Sequence, residues 1–177
     1  DWGLRAGATT TSYFDAVNRN KRSIGIDLAT PEGLARVHEL AREADVVVQN
    51  FKTGGAEKLG LGWDDLSKIN PRLVYCSIAG YGPGPEAERP GYDLLVQGEA
   101  GLMALNGEAD RPPLKFGVAA VDLFTGQYAA QAVLAALFRR ERTGRGGRVD
   151  LALYDCGLAL TSYYGLEALV QAKDPPR

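Results

Sequence analysis

The fold of this chain is organised around the stretch Gly117-Val118-Ala119-Ala120-Val121-Asp122-Leu123-Phe124-Thr125-Gly126, which continues to Arg142 without another Gly or a Pro. The run is rich in Ala and Leu, ends in arginines and is followed by Gly144. Cations near the carbonyl end and a Gly just past it are typical of a helix C-terminus. Apolar residues fall on almost every side, so the pattern predicts a long helix buried all round.

Asp122 falls in the first turn of this predicted helix, with Thr125 one turn further along on the same side. An acid at this position can simply offset the helix dipole, which is worth about 0.3–1 kcal/mol. It can also be a carboxylate kept ionised by the helix amides and used as a nucleophile. The residues alone do not decide between these two interpretations.

Composition excludes several classes of protein. With 177 residues, 45% of them hydrophobic and 24% charged, the chain is long enough for one domain with a real core. A net charge of -2 and a pI near 5.5 argue against nucleic-acid binding. No apolar run is long enough for a membrane span and no signal peptide is present, so we predict a cytoplasmic protein without a membrane partner.

The cysteine and histidine counts limit the possible chemistry. Cys76 and Cys156 form no disulfide framework or metal cluster and suit a reducing cytosol. The chain has a single histidine, His38, which argues against a Ser-His-Asp catalytic triad and against a His-rich metal site. We expect no metal.

The first half of the chain indicates an α/β protein. Residues 1–22 are polar and irregular, residues 23–28 alternate like a strand, and Thr30-Pro31 is a strong helix start. The all-apolar residues 46–48 predict a strand buried in a parallel sheet. The unit is therefore predicted to be a strand-helix-strand crossover.

Two glycine-containing loops follow predicted strands. Lys52-Thr53-Gly54-Gly55 stands where α/β sheets bind ligands, although the residues alone favour a plain connection. Residues 73–78 predict another strand, and the Gly- and Pro-rich loop after it, at 80–93, has the length of a functional loop. Neither loop has the dinucleotide-binding spacing. Helices at 94–105 and 154–172 and a strand at 149–153 complete the predicted elements.

Eight segments of the chain form a recognisable set. They are VNRNKRS at 17–23, DLATPEG at 27–33, ADVVVQNF at 44–51, LGLG at 59–62, NPRLVY at 70–75, RPGYD at 89–93, AVDL at 120–123 and ERTGRG at 141–146. Taken together, they resemble the class III CoA-transferase family, the CaiB/BaiF group that includes formyl-CoA and carnitine-CoA transferases and α-methylacyl-CoA racemase. Their order and spacing across nearly the whole chain make the resemblance specific.

The resemblance implies the site residues. It makes Asp122 the catalytic aspartate, with Tyr92 and Asp93 beside the active site. It places coenzyme A, the substrate carrier, against Ile26, Asn50, Phe51, Lys58, Leu59 and Leu153. Lys58 stands where some relatives carry Arg, so the position has the point charge of an ammonium group in place of a planar, bidentate guanidinium. Racemase relatives carry His at the position of Tyr92, a poor base at neutral pH, so this substitution favours a transferase.

The resemblance also implies the architecture. It predicts a Rossmann-like parallel sheet with helices on both faces, as a single partial domain over residues 1–177. Because family members are about twice this length and the chain begins Asp1-Trp2-Gly3, we expect a fragment that lacks the first strand-helix unit and the small domain. The full-length parent is expected to be an interlocked homodimer acting on a small acyl-CoA and a carboxylate, and the fragment alone to be inactive. The alternatives are an acyl-CoA racemase and a truncated, inactive CoA-binding or interaction module.

Overall fold

A three-stranded parallel sheet lies at the centre of the computed structural model, which describes residues 3–5, 10–173 and 175. Its strands are β1 (Val46–Gln49), β2 (Val74–Ala79) and β3 (Gly147–Ala152), in that order across the sheet. Val46 pairs with Val74, and Val74 with Gly147. Since all three strands run the same way, their carboxyl ends meet at one edge. The predicted α/β class and parallel sheet are confirmed.

Helices fill the connections and flank the sheet. They are α1 (Ser12–Asn18), α2 (Pro31–Glu43), α3 (Gly55–Lys58), α4 (Trp63–Ile69), α5 (Asp93–Glu99), α6 (Ala120–Thr143), α7 (Leu153–Leu160) and α8 (Ser162–Gln171). The predicted start of α2 is confirmed, because Thr30 Oγ1 accepts the Gly33 N–H at 3.1 Å. The predicted end of α6 is confirmed as well, since Gly144 has the left-handed φ of 72° that glycine adopts without strain.

Residues 23–28 do not form the predicted strand, so the predicted first crossover is wrong. The segment is extended but forms no ladder with a strand. In the described part of the chain, β1 is an edge strand that pairs only with β2, and residues 23–28 do not add to its free edge. Ile24 is consequently 59% exposed. The Asp27 carboxylate accepts the Ala29 N–H at 2.9 Å and turns the chain directly into α2.

Three further predictions differ from the helices that the structure shows. Within the segment 1–22, predicted to be irregular, α1 forms after Thr11, whose hydroxyl oxygen accepts the Phe14 N–H at 3.2 Å; residues 1, 2 and 6–9 lie outside the described residues. The helix predicted at 94–105 ends at Glu99, and Gly101 follows with a φ of +85°. The helix predicted at 154–172 breaks into α7 and α8 at Ser162, whose φ is +54°.

The prediction that the long helix is buried all round is wrong. Its buried apolar positions form one stripe near the start, Val121 and Ala129 with Thr125 between them, at a spacing of four residues. This stripe packs on the sheet and on α5 and α7. The opposite side stays largely open in the described structure, where Leu134 is 65% and Phe138 62% exposed. None of the described helices has the length and apolar character needed to cross a membrane.

Arg140 fixes the C-terminal end of α6 to the amino ends of two strands. Its side chain is buried and forms an ion pair with Asp45, Nη2 to Oδ1, at 2.8 Å. Nη1 donates to the backbone carbonyls of Asp45 at 3.4 Å and Arg72 at 3.3 Å. Asp45 immediately precedes β1, and Arg72 lies just before β2. One guanidinium therefore ties α6 to both strands.

We expect Arg140→Ala to lower the free energy of unfolding by about 2 kcal/mol, because three acceptors lose a charged donor at a buried position. The control is Arg142→Ala, which removes an exposed arginine stacked on Phe138 at 4.4 Å and should cost about 1 kcal/mol or less. Urea unfolding followed by circular dichroism measures both. Equal losses in the two variants would contradict the role given to Arg140.

Candidate active site

A cavity of about 550 Å³ opens at the carboxyl edge of the sheet. This is the edge at which α/β proteins bind their ligands. The ends of β1 and β2 form its floor, and the loops after these strands form its walls. It is lined by residues 48–53, 78–80 and 87–92, together with Asp122, Thr125, Gly126 and Leu153. Residues 50–53, here called the 50–53 loop, follow β1 and overlap the glycine-containing loop 52–55 noted in the sequence. They meet the predicted 80–93 loop and the start of α6 at this cavity.

Asp122 lies on the cavity wall in the first turn of α6. In the described part of the chain its carboxylate accepts no hydrogen bond and forms no ion pair. Its backbone N–H donates to Asp93 Oδ1 at 3.2 Å. Burial of the carboxyl raises the pKa of Asp122 above the ordinary aspartate value, although the residue as a whole remains exposed, and the nearby charge of Asp93 raises this pKa further. The amides at the start of α6 bond Asp93 and not the Asp122 carboxylate, so they do not supply the stabilisation of the ionised Asp122 that the sequence interpretation invoked.

Asp93, instead, accepts hydrogen bonds from the backbone amides at the start of α6. It is the first residue of α5, and its Oδ1 also accepts the Val121 N–H, at 2.7 Å. Ala119, at the N-cap position of α6, supplies no side-chain hydrogen bond. The carboxylate that stabilises the start of α6 thus comes from a helix 28 residues earlier in the chain. Asp93 thus lies beside Asp122 in the described structure.

Gln97 is a residue of this site that the sequence analysis missed. It is 1% exposed, and its Nε2 donates to Asp93 Oδ2 at 2.5 Å. Its Oε1 accepts the Phe116 N–H at 2.8 Å. The available signal was an amide directly after the apolar residues 94–96 and four residues after Asp93, a spacing that places both side chains on one face.

Thr125 lines the cavity but makes no described contact with the Asp122 carboxylate. Its side chain is buried, and its hydroxyl donates to the Val121 carbonyl at 2.7 Å. That bond satisfies the hydroxyl proton within the helix itself. Thr125 therefore shapes the cavity wall and leaves Asp122 without a side-chain partner from α6.

The 50–53 loop is held in place by polar contacts at both ends. Gln49 donates from Nε2 to Ser77 Oγ at 2.7 Å and accepts the Phe51 N–H at 2.7 Å through Oε1. Thr53 Oγ1 donates to the Ala87 carbonyl at 3.0 Å, which joins this loop to the 80–92 loop. Asn50 and Phe51 consequently face the cavity, as does Leu153.

The other three residues that the resemblance assigned to coenzyme A do not line this cavity. Ile26 is half-buried in the extended segment before α2. Lys58 is the last residue of α3, and Leu59 packs against the hydrophobic core formed by α2, α3, α4 and β2. The described structure thus brings Asn50, Phe51 and Leu153 together with Asp122 and leaves Ile26, Lys58 and Leu59 outside the cavity.

The Gly- and Pro-rich loop forms another part of the cavity wall. Its ends meet at Gly80 and Gly91, where a Cβ on Gly80 would lie 2.6 Å from the Gly91 Cα, so only glycine fits. Arg89 forms ion pairs with Glu86 and Glu99 and lies over the Tyr81 ring at 4.5 Å. These contacts fix the loop on α5 and leave Tyr92, 68% exposed, at the cavity margin.

Comparison with known proteins gives one consistent result. The family model described as CoA-transferase family III matches residues 1–177. A succinate–glutarate CoA-transferase of Agrobacterium fabrum is 46% identical over 169 residues, which cover 95% of this chain and 42% of that enzyme. A formyl-CoA:oxalate CoA-transferase of Streptomyces avermitilis is 43% identical over 148 residues, 84% of this chain and 36% of that enzyme.

The structural comparison agrees. The crystal structure of a CaiB/BaiF family protein from Brucella suis superposes with a TM-score of 0.90 at 49% identity, over 95% of this chain and 45% of that one. This chain spans less than half the length of these three relatives.

The raised pKa of Asp122 has a consequence for stability. An acid whose pKa is higher in the folded state favours folding below its unfolded pKa and loses that contribution as the pH rises through the folded value. We therefore expect Asp122→Asn to raise the urea midpoint slightly at neutral pH. The gain in the free energy of unfolding should be less than about 1 kcal/mol, because solvent screens the carboxyl of an exposed residue. The gain should disappear at about pH 3, below the ordinary aspartate pKa of about 3.9.

The matched control is Asp155→Asn, which removes a first-turn acid from α7. Loss of a dipole-compensating acid should lower the midpoint at neutral pH. If both variants lower it alike, Asp122 is only a helix-compensating residue.

Proposed function

This chain belongs to CoA-transferase family III, and from that premise we propose that the protein carrying it transfers coenzyme A from an acyl-CoA donor to a carboxylic acid, with Asp122 as the nucleophile. The observation that carries the proposal is the position of Asp122. Its carboxylate lies on the wall of the sheet-edge cavity, and its neighbour Asp93 already occupies the helix amides. Asp122 is thereby left for chemistry that a helix-capping acid could not perform.

The proposed reaction proceeds through the Asp122 carboxylate in four steps. The carboxylate oxygen attacks the thioester carbonyl of the donor, which forms a mixed anhydride and releases CoA thiolate. The thiolate attacks the aspartyl carbonyl, which gives an aspartyl-CoA thioester and releases the donor acid. The acceptor carboxylate then displaces the thiolate from this thioester to form a second anhydride. The thiolate finally attacks the acceptor carbonyl of that anhydride, which yields the new acyl-CoA and regenerates Asp122.

The environment of Asp122 suits this role. A raised pKa makes the ionised carboxylate a stronger nucleophile than an ordinary aspartate. Because only the ionised form attacks, transfer should decline on acidification at a higher pH than an unshifted aspartate would give.

We propose that Asn50, Phe51 and Leu153 contact coenzyme A, since all three line the cavity beside Asp122. Contacts from Ile26, Lys58 and Leu59 are proposed from the family resemblance alone. Two relatives are named for the dicarboxylic acids succinate, glutarate and oxalate, which supports a small dicarboxylate as one substrate.

The assembly and location of the whole protein are proposed on other observations. Residues 1–177 are one partial domain, inactive alone, within a protein that forms a homodimer. The exposed apolar side of α6 at Leu134 and Phe138 supports burial against further protein. Cys76 and Cys156 are both buried and free, which supports a cytoplasmic location.

We expect no racemase activity. A racemase needs two opposed acid/base groups at the α-carbon, and this chain has Tyr92 where the racemase relatives carry His. The longest native polypeptide that carries this sequence, incubated in D₂O with a single-enantiomer 2-methylacyl-CoA, should leave the substrate unchanged and incorporate no deuterium at that carbon. Incorporation at a rate comparable to CoA transfer would assign the protein to the racemase branch.

The second expectation tests Asp122. In the same native polypeptide, Asp122→Asn should reduce CoA transfer by at least about 10³-fold, because an amide cannot form the anhydride or the thioester. Circular dichroism and CoA binding should stay close to those of the wild type. Wild-type protein incubated with an acyl-CoA and no acceptor should carry an adduct, and peptide mass spectrometry after hydroxylamine trapping should place it on Asp122.

Asp155→Asn is the matched control, since it removes a first-turn acid outside the cavity lining, and it should retain full transfer. Thr125→Ala should reduce the rate modestly and still form the adduct, because the hydroxyl is bonded within α6. Near-normal transfer by Asp122→Asn, or an adduct on Asp93, would falsify the mechanism.

A further inference from the structure

We propose that Gln97 is a positioning residue for Asp122, acting through Asp93 and through the segment that leads into α6. The inference rests on the proposed function, since it takes Asp122 as the reacting group. Gln97 lies outside the cavity lining, and nothing in its position suggests contact with substrate. Its influence has to pass through hydrogen bonds.

Both the nitrogen and the oxygen of the Gln97 side-chain amide form hydrogen bonds. Nε2 donates to Asp93 Oδ2 at 2.5 Å, while Oε1 accepts the Phe116 N–H at 2.8 Å. The reversed amide would set NH₂ against the Phe116 N–H and an oxygen against the carboxylate, so only one orientation satisfies both partners. At 1% exposure no bulk water can replace either bond. This amide therefore holds Asp93 and Phe116 at a fixed separation.

Both partners lead to Asp122. Asp93 uses its other oxygen, Oδ1, to accept the backbone N–H groups of Val121 and Asp122 at 2.7 and 3.2 Å. Phe116 begins the segment that enters α6, and Gln97 Nε2 also approaches the Val118 carbonyl of this segment at 3.4 Å. The start of α6 is thus held from the side by Asp93 and from the preceding chain by Phe116, with Gln97 common to both.

The charges around this amide are few in the described contacts. Asp93 lies on the same helix and Asp122 on α6. Lys115 belongs to the segment before α6, and its Nζ donates to the Phe116 carbonyl at 3.2 Å. The Asp93 charge is one cause of the raised pKa of Asp122, so the position of Asp93 affects the electrostatics of the nucleophile as well as its location.

The alternative is that Gln97 only fills volume in the core formed by α5, α6 and α7. Two variants of nearly equal size separate the two roles. Gln97→Glu, when protonated, can donate to Asp93 and accept from Phe116 just as the amide does. When ionised, it repels Asp93. Gln97→Met fills the space and restores neither bond.

The test measures CoA transfer against pH in the longest native polypeptide, relative to wild type at each pH. We expect the ratio of Gln97→Glu activity to wild-type activity to be highest at low pH and to fall about tenfold per pH unit above the pKa of the new carboxyl. Gln97→Met should be reduced about tenfold to a hundredfold at every pH, as expected for a displaced reacting group. Gln131→Glu, which adds the same charge at an exposed position of α6, should follow the wild-type profile.

A Gln97→Met variant with wild-type activity, or a Gln97→Glu ratio that does not change with pH, would overturn the proposal. Amide NMR of the wild type provides a readout that depends on neither folding of the variants nor activity. The Gln97 side-chain NH₂ should exchange with solvent at least about tenfold more slowly than those of the exposed Gln127 and Gln131.

Equal exchange of these side chains would also overturn the proposal. Slow exchange at Gln97 in a wild-type protein that transfers no CoA would instead refute the proposed function and leave the hydrogen-bond network intact.

Discussion

The structure depends on one carboxylate placed at the start of a helix that is remote in sequence. Asp93 accepts the Val121 and Asp122 N–H groups of α6, which no residue of α6 or its N-cap satisfies with a side chain. Unsatisfied amides at a helix start are costly, so this contact fixes α5 against α6. It also removes the capping role from Asp122, whose carboxylate is left at the cavity wall.

The other end of α6 is held with equal specificity. Arg140 binds the Asp45 carboxylate and the carbonyls of Asp45 and Arg72, next to the first residues of β1 and β2. With both ends fixed, α6 can take only one position across the sheet. The first turn of α6 therefore arrives at the carboxyl edge, where the loops after β1 and β2 already form a cavity.

Polar contacts between loops complete the site. Gln49 bonds Ser77 and the Phe51 backbone, Thr53 bonds the Ala87 carbonyl, and Arg89 joins the second loop to Glu99 on α5. The Gln49–Phe51 bond is local, and the other contacts link segments that are close in space and separated in sequence. The walls of the cavity are thus positioned by side-chain hydrogen bonds on a frame set by β1, β2 and α6.

The sequence by itself determined the local features: the cap of α2 at Thr30, the end of α6 at Gly144, the parallel strands β1 and β2, and Asp122 as the candidate nucleophile. Each depends on neighbours within a few residues or on recognisable family segments. Only the tertiary structure decided that Asp93 caps α6, that Gln97 bridges Asp93 and Phe116, that residues 23–28 stay unpaired and that α6 is buried on one side. These depend on which segments meet in space, because a hydrogen bond or a buried contact exists only where both partners are present.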